Sequence, residues 1–253
     1  MNWLRYFEHN RDHRMRIPWE HGINIELELR RPLVGSLQRF QVGESGEGGH
    51  LRKRAATTGD SDYQAMIDLF IKEEQEHARL MAGVLREFDS PLLEKHWSDS
   101  CFVILRHLFG LHGTLLVLLM PEMIAKRYFL ALWQGVRDPV LKAVFEQICR
   151  DEEGHLAFHA EYLNRACSGL SFRRRVFMQI AWRLAFRLVC AVVLLDHGKL
   201  LEAVGVSRSV FWGDCGLIFD EVAAIIFSPA HLLCPPRLAG ACGMSGQVTG
   251  GAT

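Results

Sequence analysis

The chain reads as an all-α protein. Apolar residues recur at steps of three and four along most of its 253 residues, and strand-like alternation is almost absent. Helix-capping and helix-stopping residues punctuate the sequence at long intervals.

The elements follow in order. A short amphipathic start carrying Trp3, Leu4, Tyr6 and Phe7 leads through Pro18 into a first long helix, expected from about Arg31 to Ala56. Thr58, Gly59 and Asp60 end it. Asp60 or Ser61 caps a second helix that runs to about Phe88, where Asp89, Ser90 and Pro91 stop it. Ser98 or Asp99 caps a third, expected to reach Gln134. Asp138 followed by Pro139 reads as an N-cap with proline at the first helical position, opening a fourth helix that ends near Cys167. A fifth helix, about Ser171 to Val204, and a shorter one near Asp214 to Phe227 complete the set. The expected division is a helical lead-in over 1–30, a bundle over 31–167, additional helices packed on it over 168–234, and a disordered tail over 235–253, rich in glycine and small residues.

Composition narrows the function classes. Apolar residues make up 49% of the chain, enough for one sizeable core, or one core with an appended subdomain. Lysine plus arginine and aspartate plus glutamate both number 29, so no overall field points to nucleic acid. The seven cysteines include no Cys-x-x-Cys pair, and the opening MNWLRYFEHNRD is too charged for a secretory signal. A reducing cytoplasm is the expected compartment. Arg106, His107 and His112 interrupt the apolar stretch from Cys101 to Met120, and Arg183 and Arg187 interrupt the one from Val176 to Leu195, so neither reads as a membrane span. The second stretch has Arg173, Arg174 and Arg175 at its head. It reads either as a helix that packs on the bundle or as one that lies on a membrane surface.

A doubled pattern of metal-ligand residues runs through the expected bundle. Glu74 and His77 form one Glu-x-x-His step and Glu152 and His155 another, 78 residues on. Glu44 and Glu122 precede these steps by 30 residues each. All of them fall on seams that are otherwise apolar: Leu33, Leu37, Phe40, Glu44, Glu47 and Leu51; Ile67, Phe70, Glu74, His77, Met81 and Val84; Leu111, Leu115, Leu118, Glu122, Ala125, Phe129 and Leu132; Leu141, Phe145, Ile148, Glu152, His155, His159 and Tyr162. A buried ionised glutamate is costly unless a cation compensates it, and several converge here. One Glu-x-x-His step is weak on its own, since Glu47 and His50 make a third. The matched offsets and the four separate seams carry the signal.

This set resembles the ferritin-like di-iron carboxylate superfamily over about residues 31 to 166, with the motif on Glu44, Glu74, His77, Glu122, Glu152 and His155. Gly43, Glu44, Ser45 and Gly46 are also similar to the Gly-Glu segment of demethoxyubiquinone hydroxylases. The resemblance implies a ferritin-like four-helix bundle holding two iron ions, or a manganese–iron pair, with Glu74 and Glu152 bridging. Glu44 with His77, and Glu122 with His155, are the implied terminal ligands. Glu73 and Asp151 precede the motif glutamates; acids so placed orient ligand histidines in this superfamily, the alternative being a solvated acid. Glu47 is an extra or alternative ligand to Glu44. His159 is either a third imidazole or a hydrogen-bonded core histidine. Met81 stands where a radical-forming ribonucleotide reductase subunit carries tyrosine, which argues against that role. Pro121 is expected to kink the third helix beside the metals. Gly43, Gly46, Gly48 and Gly49 weaken the first, leaving either a frayed helix or room for a substrate.

Three functions remain open. The first is an oxidoreductase that activates dioxygen to hydroxylate, desaturate or otherwise oxidise an organic molecule, apolar to suit Leu115, Leu118, Leu119 and Phe129. No flavin or nucleotide fingerprint is present, so a separate electron donor is expected. The second is ferroxidase activity with iron storage. The third is a non-catalytic metal-binding bundle. The sequence leaves a homodimer open.

Overall fold

Why the chain turns where it does is visible at its helix ends. The computed structural model describes residues 1–94 and 109–228. The expected cap at Ser98 or Asp99 and the tail over 235–253 lie outside the described residues. Among those described, every regular element is helical. Helix α1 (Trp3–Asp12) begins where the Asn2 side chain accepts from Arg5 N, and it buries Trp3 and Phe7. One 3-10 turn at Trp19–His21 leads to α2 (Leu27–Glu44), followed by α3 (Gly49–Ala56). Asp60 caps α4 (Ser61–Glu87) through Tyr63 N at 2.9 Å. Helices α5 (Leu111–Gly135), α6 (Pro139–Cys167), α7 (Phe172–Ala203) and α8 (Arg208–Phe227) follow. Asp138 Oδ1 accepts from Val140 N and Leu141 N at 3.0 Å, with Pro139 opening α6. Its other oxygen accepts from Asn24 N at 2.9 Å and ties down the approach to α2.

Three expected helices differ from the sequence reading, the last of them only in starting at Arg208 rather than near Asp214. The first starts earlier, at Leu27, and continues through Pro32, but it stops at Glu44 rather than Ala56. Gly48 adopts φ +67°, and a Cβ there would stand 2.5 Å from Ile71 Cδ1, so only glycine lets the chain turn this close to α4. The third helix does not run unbroken from residue 98. Phe109 and Gly110 are non-helical, and α5 starts at Leu111 with the Phe109 side chain folded over Gly113, whose Cβ would stand 2.5 Å from it. Helix α5 continues through Pro121, which supplies no N–H to the Val117 carbonyl.

The helices pair α2 with α4 and α5 with α6, and α4 meets α6 across the core. Helices α7 and α8 pack on one another and on α5, with α7 also against α2 and α8 against α6. Leu33, Leu37, Ile67, Phe70, Met81, Val84, Leu115, Phe129, Leu132, Leu141, Phe145 and Ile148 are all buried. Each such side chain contributes roughly 1.5–3 kcal/mol. Leu111, Leu118 and Phe40 are only half-buried.

Helix α7 is long and apolar enough by composition to cross a membrane, and only 17% of its most apolar window is buried. Arg183 and Arg187, both half-buried, lean on α8: Arg183 pairs with Asp220, and Arg187 lies 5.0 Å over the Trp212 ring.

Candidate metal centre

The site is built from residues on α2, α4, α5 and α6. On α4, Glu73 and Glu74 begin one turn that ends at His77; on α6, Asp151 and Glu152 begin another that ends at His155. His77 Nε2 lies 3.0 Å from Asp151 Oδ2, and His155 Nε2 lies 2.9 Å from Glu73 Oε2. Each acid therefore serves the histidine of the opposite helix. Residue 73 facing 155 while 77 faces 151 is the pattern of two antiparallel helices. Both imidazoles are fully buried and both acids nearly so.

With Nε2 engaged outward, each Nδ1 points to a common centre. His155 Nδ1 lies 2.9 Å from Glu74 Oε1 and 3.5 Å from Glu122 Oε2. His77 Nδ1 lies 3.7 Å from Glu74 Oε1 and 3.7 Å from Glu152 Oε1. Glu74 Oε1 thus stands between the two rings. One ligand atom each from Glu74, Glu122, Glu152 and His155 lies within 4.8 Å of every other.

The electrostatics are those of crowded acids out of water. Burial, then Glu74, pushes the Glu44 carboxyl well above its usual range, and a hydrogen bond with Glu74 adds to the shift. Burial, then Glu122 and Glu74, does the same to Glu152. For His155, burial alone would favour the neutral ring, but its bonds with Glu122, Glu73 and Glu74 outweigh that and push its pKa well up. Burial raises Asp151, yet its hydrogen bond to His77 and the nearby Arg14 more than offset this and hold it below the usual carboxylate range. Without a cation the surroundings thus favour the protonated form of Glu44 and Glu152 and the ionised form of Asp151.

The donor set fits a metal. His77 Nδ1, Glu122 Oε2 and Glu152 Oε2 are buried without a hydrogen-bond partner among the described residues, beside the ion pair of His155 Nδ1 with Glu74 Oε1. Each buried polar atom left unpaired costs about 1–3 kcal/mol unless something pairs it. The 2.9 Å between His155 Nδ1 and Glu74 Oε1 is also the spacing of two adjacent ligands on one ion with bonds of about 2.1 Å.

The other candidates fall into place around this centre. Glu44, the last residue of α2, is half-buried and reaches Glu74. Glu47 lies in the exposed turn after α2, not on the same helical face as Glu44. His159 is fully buried between Phe70 and Phe158, and among the described residues neither ring nitrogen has a hydrogen-bond partner.

Two residues that the sequence did not single out support the acids. Arg14, in the segment after α1, places Nη2 2.8 Å from Asp151 Oδ2 and Nη1 3.7 Å from Glu73 Oε1, so one guanidinium bridges both. Gln147 Nε2 donates to both Asp151 oxygens at 3.0 and 3.1 Å, while its Oε1 accepts from Met15 N at 2.8 Å. Gln147 lies one turn before Asp151 on α6, a signal the sequence does carry. For Arg14 there is no local signal.

Two cavities reach the cluster. One, of about 300 Å3, lies under the glycine-rich turn and touches Glu44, Glu47, Glu74, Phe70 and Leu118. The other, of about 140 Å3, lies between α2, α5 and α7 and runs from Phe40, Pro121, Val192 and Val193 to Glu44, Glu74 and Glu122. A third, of about 280 Å3 beside Tyr63, Tyr162 and His112, touches none of these acids. Comparison of the chain with protein-family models, with curated proteins and with solved structures finds no match.

Proposed function

We propose that this centre holds two metal ions, iron by donor type, and that the protein is a dioxygen-dependent di-iron oxidoreductase of ferritin-like architecture acting on an apolar organic substrate. The observation that carries the reading is the crossed pairing of Glu73 with His155 and Asp151 with His77. It turns His155 Nδ1 to the point where oxygens of Glu74, Glu122 and Glu152 meet, and His77 Nδ1 to 3.7 Å from both Glu74 and Glu152. Glu44, Glu74, His77, Glu122, Glu152 and His155 would hold the pair. Hard carboxylates with a few imidazoles suit iron or manganese, and two such ions, once reduced by a separate electron donor, would supply dioxygen activation.

The remaining residues have separable tasks. Glu73 and Asp151 accept the Nε2 protons and keep both imidazoles in one tautomer. Arg14 pairs with both acids from outside. Glu44 and Glu152, whose surroundings favour the protonated form, would give up that proton to a bound cation. Leu118, Phe40, Val192 and Val193 give the smaller cavity an apolar wall that suits an organic substrate better than iron passage for storage.

Metal analysis of the purified protein beside Glu74→Ala and His155→Ala variants tests the reading. About two metals per chain are expected in the wild type and loss in both variants; unchanged metal content in the variants refutes the site. Oxygen uptake on adding ferrous iron, without assembly into a large shell, separates an oxidoreductase from a storage protein. Metal-dependent melting with no oxygen uptake would instead leave a non-catalytic bundle.

A further inference from the structure

The face of α7 turned away from the core carries an unbroken apolar row. Phe177, Ile180, Leu184, Leu188 and Leu195 are 73%, 56%, 63%, 71% and 77% exposed. They recur at helical steps of three, four and seven, and so share one face for roughly 27 Å at 1.5 Å per residue. Singly exposed leucines are ordinary, but a row of this length marks a surface that something covers. The opposite face buries Trp182, Phe186, Cys190, Leu200 and Leu201, so the helix lies along the protein rather than projecting from it.

Charge selects the occupant. From Phe172 to Leu195 the helix has no acidic residue. Exposed Arg173 and Arg174 stand at one end of the row, whereas at the other exposed Lys199 is flanked by half-buried Asp196 and exposed Glu202. Two copies of this face packed in parallel would set basic ends against basic ends. An anionic lipid surface complements both the row and its basic end, and an antiparallel pair of copies is the competing outcome that the test separates. The groove beside the row fits the same partner: Val192 lies one turn beyond Leu188 and lines the cavity that reaches Glu44, Glu74 and Glu122.

We propose that α7 docks in the plane of an anionic lipid surface, and that the groove at Val192 takes its substrate from the apolar layer beneath the headgroups. The second half rests on the oxidoreductase reading; the docking face does not. The test is flotation of the full chain with vesicles of phosphatidylcholine alone or mixed with phosphatidylglycerol. Binding to the mixed vesicles that weakens with salt is expected, with at least a tenfold loss in the Leu184→Gln/Leu188→Gln variant at unchanged helix content and melting temperature. Absence of binding to anionic vesicles overturns the proposal. So does a wild-type dimer that the same variant converts to monomer without any vesicle binding. Brominated acyl chains are expected to quench a Val192→Trp variant more than the wild type; equal quenching in bound protein refutes the groove's placement. Binding by a chain that holds no metal would keep the docking face and remove the oxidoreductase reading, and metal retained without binding would do the reverse.

Discussion

His159 offers a test whose size follows from its surroundings. It lies one turn beyond His155 on α6, fully buried, with the Phe70 and Phe158 ring centroids each 4.7 Å away. Burial, then the neighbouring His155, lowers its pKa from 6.5 to about 3. An unfolded chain gains a proton here below about pH 6.5, whereas the folded protein refuses it until about pH 3. The associated stability is intact above pH 6.5 and is lost as pH falls through that window. At pH 4.5 the unfolded state is favoured by two decades of proton binding, about 2.7 kcal/mol at 1.36 kcal/mol per decade. Little of this is present at pH 7. Leucine has a similar volume and no proton to gain, so His159→Leu removes the effect. In the metal-free protein, urea unfolding followed by circular dichroism is expected to show the variant gaining about 2.5 kcal/mol on the wild type between pH 7 and pH 4.5. A difference between variant and wild type that does not change with pH refutes the buried neutral histidine. The same variant is expected to keep its metals; losing them would make His159 a ligand.

Two further outcomes follow from the supports of the site and of the fold. Arg14→Met keeps an apolar stem but removes the bridge between Asp151 and Glu73, so metal affinity should fall about ten- to a hundredfold at unchanged helix content, as read by chelator competition. An unchanged affinity would make Arg14 a bystander. Gly48→Ala places a Cβ against Ile71 at φ +67° and is expected to cost about 1–3 kcal/mol in urea unfolding; a neutral result would show that the turn relaxes without strain.

Features that rest on neighbours in sequence were legible, and features that rest on distant contacts were not. The caps at Asp60 and Asp138 are local, as are the two Glu-x-x-His steps and the acid before each, because one helical turn sets their relation. The break after Glu44 was not legible as a break. Four glycines signalled weakness, but the turn depends on Gly48 meeting Ile71 of another helix. The interruption at Gly110 depends likewise on Phe109 folding back over Gly113. Arg14 is far from both of its acids in sequence and has no pattern of its own. Glu47 shows the consequence: it shares a face with Glu44 only if the helix continues, and once the helix ends it sits on the exposed turn.

The 78-residue repeat acquires a mechanical meaning from the crossed pairs. If each acid oriented the histidine of its own turn, α4 and α6 would each carry a finished half-site, and either could hold a cation alone. Instead Glu73 fixes His155 and Asp151 fixes His77, so neither imidazole is oriented until the two helices stand in register. A slip of one turn between them would break both pairs at once and leave two buried imidazoles without their acceptors, at roughly 1–3 kcal/mol each. Register and ligand geometry are therefore one equilibrium, and a cation that binds the assembled centre stabilises the packing of α4 on α6 by the same free energy. Because Arg14 spans both acids, the segment after α1 belongs to that equilibrium too. The part of the chain with no ligand of its own thus decides how firmly the ligands are held.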